Sequence, residues 1–295
     1  MSDFFESSSG SRVYLAKPST VPDTNFVGRA KELSLCRAAF GITDNWTFDD
    51  SLTPLHFRLE GSPGVGKNEI VYEIARQLAK TLRLPFYSIQ GHEEMTPEDL
   101  SILVVPDPEE ESHLGLRLRA SPLATALYLG GLFFFDEINR VPERALTPLA
   151  SVLDKRQSLY SATTGVVVEP NPLSQQRFRF CCAVNPKVGE SGRAGLPDYI
   201  DERTLPVIEV RPHNLETLRE ILKRNVISDD SLLDSFAQWY EAEAATELSA
   251  RQVIALVNYA FRTKQGSESG VEALHRSASH FLRPTQIRIQ TQTQN

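Results

Sequence analysis

Gly61-Ser62-Pro63-Gly64-Val65-Gly66-Lys67 decides the fold, because of what stands on either side of it. Leu55 to Glu60 reads as a short strand entering the segment, and 67–82 has the apolar spacing of an amphipathic helix leaving it. The glycines let successive backbone N–H groups turn inward, the helix start adds partial positive charge, and Lys67 reaches the outer phosphates. A loop of that build cradles the phosphates of a nucleotide, with Asn68 and Glu69 completing the phosphate side.

A glycine-rich turn can merely join a strand to a helix, so a second segment carries the decision. Leu132-Phe133-Phe134-Phe135-Asp136-Glu137 is an apolar strand ending abruptly in two carboxylates. Open parallel sheets bind ligands beyond the carboxyl ends of their strands, which is where these acids fall. Asp136 is the expected holder of Mg²⁺ through water, and Glu137 the group that polarises the water attacking the terminal phosphate. Asn68 stands where this motif usually has a metal-ligating Ser or Thr. An amide oxygen is also a hard ligand, so metal and ATP binding are expected to survive, while hydrolysis could be slow. Phe178 to Val184 reads as a further strand ending in Asn185-Pro186. Between the two motif strands the Asn185 amide would orient the attacking water, whereas taken alone an Asn-Pro pair is a turn.

Around these motifs, short apolar runs alternate with longer amphipathic ones, the pattern of an α/β fold whose parallel sheet is covered on both faces. Strands are predicted near 55–60, 84–90, 131–136, 177–184 and 205–210, and helices over 67–82, 121–129, 141–156 and 198–203. After Pro212 the spacing becomes helical throughout. The expected organisation is a flexible N-terminal arm over 1–24, an αβ nucleotide-binding domain over 25–211, a helical lid over 212–282 and a flexible polar tail over 283–295.

In kind and order these motifs resemble the AAA+ superfamily, and within it the MoxR-like branch with its CbbQ, gas-vesicle and dynein-type relatives. The narrowing stretches are DEINRVPERALTPLASVLDKRQ from Asp136, the hairpin-like SLYSATTGVVVEPNP and FRFCCAVNP ending at Pro186. The resemblance implies a P-loop three-layer αβα core with strand order 5-1-4-3-2 and a small all-helical lid. It implies that Val27 and Gly28 enter the adenine pocket, that Asn185 is sensor 1, and that Arg251, in Leu248-Ser249-Ala250-Arg251, touches the outer phosphates from the lid. TPEDLSILVVPDPEEESHLGLRLRASPL is similar to the branch's insertion in its second helix. LPDYIDERTLPVIEV resembles the segment carrying an arginine finger, at Arg203, although Thr204 replaces the frequent Phe. Arg140 and Arg193 are rival candidates for contacts across a subunit boundary. The resemblance further implies a homo-oligomeric ring, most often a hexamer, that remodels a client protein, commonly with a von Willebrand factor A-type partner. The hairpin around Tyr160 and the insertion around His113 would then face the pore.

Charge bears on the alternatives. With 31 basic against 38 acidic residues the chain carries a formal charge of −7, which disfavours a general polyanion binder. A nucleic-acid motor therefore ranks third, kept open by Arg117, Arg119, Arg177 and Arg179. A nucleotide-operated switch with little turnover ranks second, on the strength of Asn68. Cys36, Cys181 and Cys182 lack metal or redox spacing, and no apolar run approaches the ~20 residues needed to span a bilayer. A cytoplasmic protein without membrane association is expected. The loop reads phosphates rather than bases, so ATP and GTP are not distinguished here.

Overall fold

The computed structural model describes residues 3–8, 10–23, 26–107, 115–172, 174, 177–185, 195–226, 230–242 and 248–281. His113, Arg193 and the tail expected over 283–295 lie outside them. The chain forms two compact units, one of Met1–Pro22, Ala30–Glu60 and Asn68–Glu209, the other of Asp23–Arg29, Gly61–Lys67 and Val210–Asn295.

In chain order the first unit opens with strands β1 (Phe4–Glu6) and β2 (Arg12–Tyr14), helix α1 (Ala30–Phe40) and strand β3 (Phe57–Glu60). Helix α2 (Lys67–Leu82) follows, then strands β4 (Phe86–Gln90), β5 (Ile102–Pro106) and β6 (Leu116–Ala120), helix α3 (Pro122–Leu129) and strand β7 (Leu132–Asp136). Short helices α4 (Glu143–Leu146) and α5 (Leu149–Val152), hairpin strands β8 (Leu159–Tyr160) and β9 (Val167–Val168), strand β10 (Arg179–Val184), helix α6 (Asp198–Asp201) and strand β11 (Val207–Glu209) complete it. Every neighbouring pair in the main sheet is parallel, in the order β11-β3-β10-β7-β4. Numbered within the sheet, that is 5-1-4-3-2. Strands β7 and β10 are buried at all but their last residue, which is why they read as unbroken apolar runs rather than alternating ones. Phe133, Phe135 and Phe180 anchor the core on one side of the unit, with Leu123, Leu127 and Leu149 from the helices.

The second unit carries helices α7 (Leu215–Asn225), α8 (Asp230–Ala242), α9 (Ala250–Arg262) and α10 (Gly270–Ala278) around their own core of Leu218, Phe236, Trp239, Val253, Leu256 and Leu274. Side-chain caps set three of the starts: Asn214 accepts from the Thr217 N–H, Ser249 from Gln252 and Ser269 from Glu272.

Three expectations need correction. The described part of the arm expected over 1–24 is packed: β1 and β2 join β6 and β5 in a second sheet of order β1-β2-β6-β5, with β2 parallel to β6. Val13 is fully buried, and the Phe5 ring stacks on Tyr128 at 4.5 Å. The polar composition misled because each strand is only three residues long and buries a single one of them. The helix expected over 141–156 is broken into α4 and α5 with Pro148 between them, a residue whose ring and missing N–H interrupt helical bonding. Arg179, one of the four cations that kept a nucleic-acid motor open, is not available to a nucleic acid. It is 2% exposed, its Nε donates to the Phe40 carbonyl at 2.8 Å, and its guanidinium lies 3.9 Å from the centre of the Phe48 ring. Burial brings its pKa down to about 10.

Two outcomes follow for this unit. Phe5→Ala should cost about 3 kcal/mol and lower the first thermal transition by roughly 6–10 °C, where an unpacked arm would tolerate the change. His56 sits near the rings of Phe178 and Phe180 with Nδ1 unpartnered, and burial, aided by the Arg179 charge, holds its pKa near about 4 against an ordinary 6.5. A depressed folded-state value makes stability fall as the pH drops from about 6.5 through about 4. Urea titrations at pH 7 and pH 5 should show that loss, reduced in His56→Phe.

Candidate nucleotide-binding and hydrolysis site

The phosphate loop belongs to the second unit and runs straight from β3 into α2. Gly64 and Gly66 have φ of +80° and +98°, backbone that side chains disfavour. At Gly64 a Cβ would also meet Ser249 Oγ at 2.9 Å and Arg251 Cβ at 3.1 Å. Lys67 is 5% exposed, and its Nζ donates to the carbonyls of Gly61 at 2.6 Å and Ser62 at 3.1 Å. Arg251, the lid residue singled out from sequence, thus stands at the loop.

Val27 is buried, and Gly28, at φ +70°, has Thr217 and His213 so close that a Cβ would lie 2.8 Å from Thr217 Cγ2. The next residue stands in the same stretch, Phe26-Val27-Gly28-Arg29, which resembles the family's entry to the adenine pocket, but the residue pattern assigns it no role of its own. Arg29 donates through Nη2 to the carbonyl of Val65 within the loop at 2.7 Å and to that of Arg211 at 2.6 Å. Its position directly after Gly28 was the available signal, but an isolated Arg reads as a surface charge.

The acids lie in the first unit. Asn68 Nδ2 donates to Asp136 Oδ2 at 2.7 Å, so the residue following Lys67 in α2 touches the end of β7. Glu137 takes a left-handed conformation, φ 52° and ψ 39°, uncommon for a residue with a side chain and typical of strain kept at working sites. Three side chains hold its carboxylate: Asn185 Nδ2 at 2.9 Å on Oε1, and Arg140 Nη1 at 3.0 Å and Gln90 Nε2 at 3.1 Å on Oε2. Partial burial pushes the Glu137 pKa up, yet these donors and the Arg140 charge outweigh it and leave the group below the ordinary carboxylate value. Asn139 and Asn185 bond reciprocally, Asn139 Nδ2 to the Asn185 carbonyl at 3.1 Å and Asn185 N to Asn139 Oδ1 at 3.4 Å. Gln90 escaped the sequence reading because its place follows from strand register: it is paired with Asp136 across β4 and β7.

Arg203 is partly exposed at the end of α6, its Nη1 donating to the Tyr199 carbonyl at 2.7 Å. Thr204 beside it is fully buried. Glu69 follows Asn68 in the first turn of α2.

The residues suit a nucleotide and a divalent metal. Among the described residues no group of three or more His, Cys, Asp or Glu could hold a metal by itself. Mg²⁺ needs no such cage, since it is commonly held by one or two carboxylates and substrate phosphates, and Asp136 with the neighbouring Asn68 amide supplies hard oxygen donors. The loop, with its φ > 0 glycines and lysine, has by itself the build of a phosphate cradle.

A five-stranded parallel sheet in this order, a glycine loop opening α2, two acids ending β7 and a separate helical unit define a P-loop NTPase with an AAA+ architecture. Comparison agrees. The AAA domain of the dynein-related subfamily matches residues 56–199. An uncharacterized protein of Staphylococcus epidermidis is 26% identical over 70% of this chain and 76% of its own length. The protein CbbQ of Hydrogenophilus thermoluteolus is 29% identical over 43% of each chain. Among solved structures, the RuvB Holliday junction branch migration motor of Thermotoga maritima superposes with a TM-score of 0.54 at 18% identity, over 88% of this chain and 72% of that one, a likeness of fold. The chain thus carries an AAA domain over residues 56–199 and is similar in sequence to the MoxR- and CbbQ-type members of the AAA+ group.

Arg29→Ala should free the Val65 carbonyl and loosen the loop, weakening binding of a fluorescent ATP analogue about tenfold, or ~1.4 kcal/mol. An unchanged dissociation constant would mean that Arg29 holds nothing the nucleotide uses.

Proposed function

We propose that this protein hydrolyses ATP with Mg²⁺ in a ring of identical subunits, most often six in relatives of this kind, and uses the cycle to remodel or activate a partner protein. The observation that carries the reading is the hydrogen bond from Asn68 to Asp136. Lys67 and Asn68 are successive residues of one helix, so the residue that touches the expected metal carboxylate follows the phosphate loop directly in the chain. The loop and Lys67 take the phosphates, Asn68 and Asp136 the metal, and bound Mg²⁺ supplies charge neutralisation on the phosphate oxygens. Val27 and Gly28 border the base, and Glu69 lies beside the metal side of the helix start.

Glu137 is the base-side group for the attacking water. Held ionised by Asn185, Arg140 and Gln90, it keeps an acceptor oriented toward water, with Asn185 as the positioning amide. Arg251 answers the terminal phosphate from the helical unit. Arg203 is the finger offered to a neighbouring subunit, where a guanidinium that stays charged stabilises the charge redistributed during transfer. The hairpin of β8 and β9 exposes Tyr160 at 60% and Val167 at 45%, apolar surface suited to gripping a client protein in a pore. A von Willebrand factor A-type protein is the partner class the family resemblance favours, and a cytoplasmic location suits that role. No helix among the described residues is long and apolar enough to cross a membrane. Burial of Arg179 removes one of the cations that favoured a nucleic-acid track.

A second reading, a nucleotide-operated switch with little turnover, is favoured by one observation: Asn68 presents its N–H to Asp136, where a Ser or Thr hydroxyl would ligate metal. Phosphate release separates the two. Under the first reading, Glu137→Gln lowers steady-state turnover by about 100-fold or more while ATP still binds. Under the second, the unsubstituted protein already turns over as slowly as Glu137→Gln, and Asn68→Thr raises its rate.

A further inference from the structure

Strand β3 is paired on both sides, with β11 and β10, and Phe57 and Leu59 are buried in it as expected, but Arg58 between them is charged and only 8% exposed. A guanidinium in such a place is costly unless each donor finds an acceptor, so its partners show what it is for. Nε pairs with Glu60 Oε1 at 2.7 Å on the same strand. Nη1 reaches the end of α6 and the turn after it: Asp201 Oδ1 at 2.9 Å, the Asp201 carbonyl at 3.1 Å and Thr204 Oγ1 at 3.3 Å. The Thr204 hydroxyl donates in turn to the Ile200 carbonyl at 2.9 Å, and the Arg58 main-chain N–H donates to Pro206 at 3.3 Å. One residue therefore grips positions 201, 204 and 206, on both sides of Arg203.

We infer that Arg58 is a positioning residue for Arg203: it ties the turn that presents the finger to the strand that runs directly into the phosphate loop, through the Thr204 hydroxyl and Asp201. The inference rests on the reading of Arg203 as a finger acting in trans. It also accounts for Thr204, since a Phe there would leave Nη1 without its hydroxyl acceptor. The Arg58 guanidinium donates to Glu60, Asp201 and Thr204 and to no residue of the phosphate loop, so its effect falls on the neighbour's site and not on its own.

Mixed assemblies of the full chain test this. Glu137→Gln subunits, silent at their own site, are titrated into unsubstituted protein, and phosphate release reports the unsubstituted sites they serve. Adding Arg58→Gln to the silent subunits should lower that release on the order of tenfold, approaching the effect of Arg203→Ala in the same background. Binding of a fluorescent ATP analogue to Arg58→Gln alone should stay within about twofold, which a general loss of structure would not permit. If Arg58→Gln melts early, Thr204→Val and Thr204→Ser decide instead, the first losing trans activity and the second keeping it. Release unaffected by Arg58→Gln or Thr204→Val, while Arg203→Ala lowers it, overturns the inference and leaves the finger standing. Release unaffected by Arg203→Ala removes the finger, and with it this role for Arg58.

Discussion

Parallel pairing in a fixed register is the constraint on which everything else depends. Val184 is paired with Glu60, Cys182 with Phe135, and Gln90 with Asp136, so the carboxyl ends of four strands finish at one edge of the sheet. Each strand hands over to the next element there: β3 to the phosphate loop, β7 to the acids, β10 to Asn185 and β4 to Gln90. The side chains on Glu137 meet because their strands stop together, and a slip of one residue in any pairing would send them to the opposite face.

Two residues that depart from their motifs become intelligible against that geometry. Asn68 replaces a hydroxyl residue and spends an amide N–H on Asp136, joining the start of α2 to the end of β7. Thr204 stands in a buried position where an aromatic is frequent and completes the hydrogen bonding of a charged residue on β3, an interior strand of the sheet. In both cases a polar side chain links two elements that meet only in the fold.

The main sheet was legible in the chain because its strands are covered on both faces and appear as continuous apolar runs, Phe133 to Phe135 above all. The second sheet was not. Strands β1 and β2 are three residues long and bury Phe5 and Val13 alone, so their pattern cannot be told from a polar arm until β6 is beside them. Pro148 was visible but its effect was overlooked, since the apolar spacing across it stayed helical.

The sequence by itself determined the phosphate loop, the paired acids, the five parallel strands and the helical unit, because each rests on local residue types and periodicity that no partner is needed to read. Only the tertiary structure decided that Gln90 and Arg140 share Glu137 with Asn185, that Arg29 holds the Val65 carbonyl of the loop and that Arg58 grips the turn around Arg203. Those are contacts between residues far apart in the chain or between side chains whose direction depends on backbone conformation, as at Glu137. Strand register and burial create them, and neither is written in any single segment.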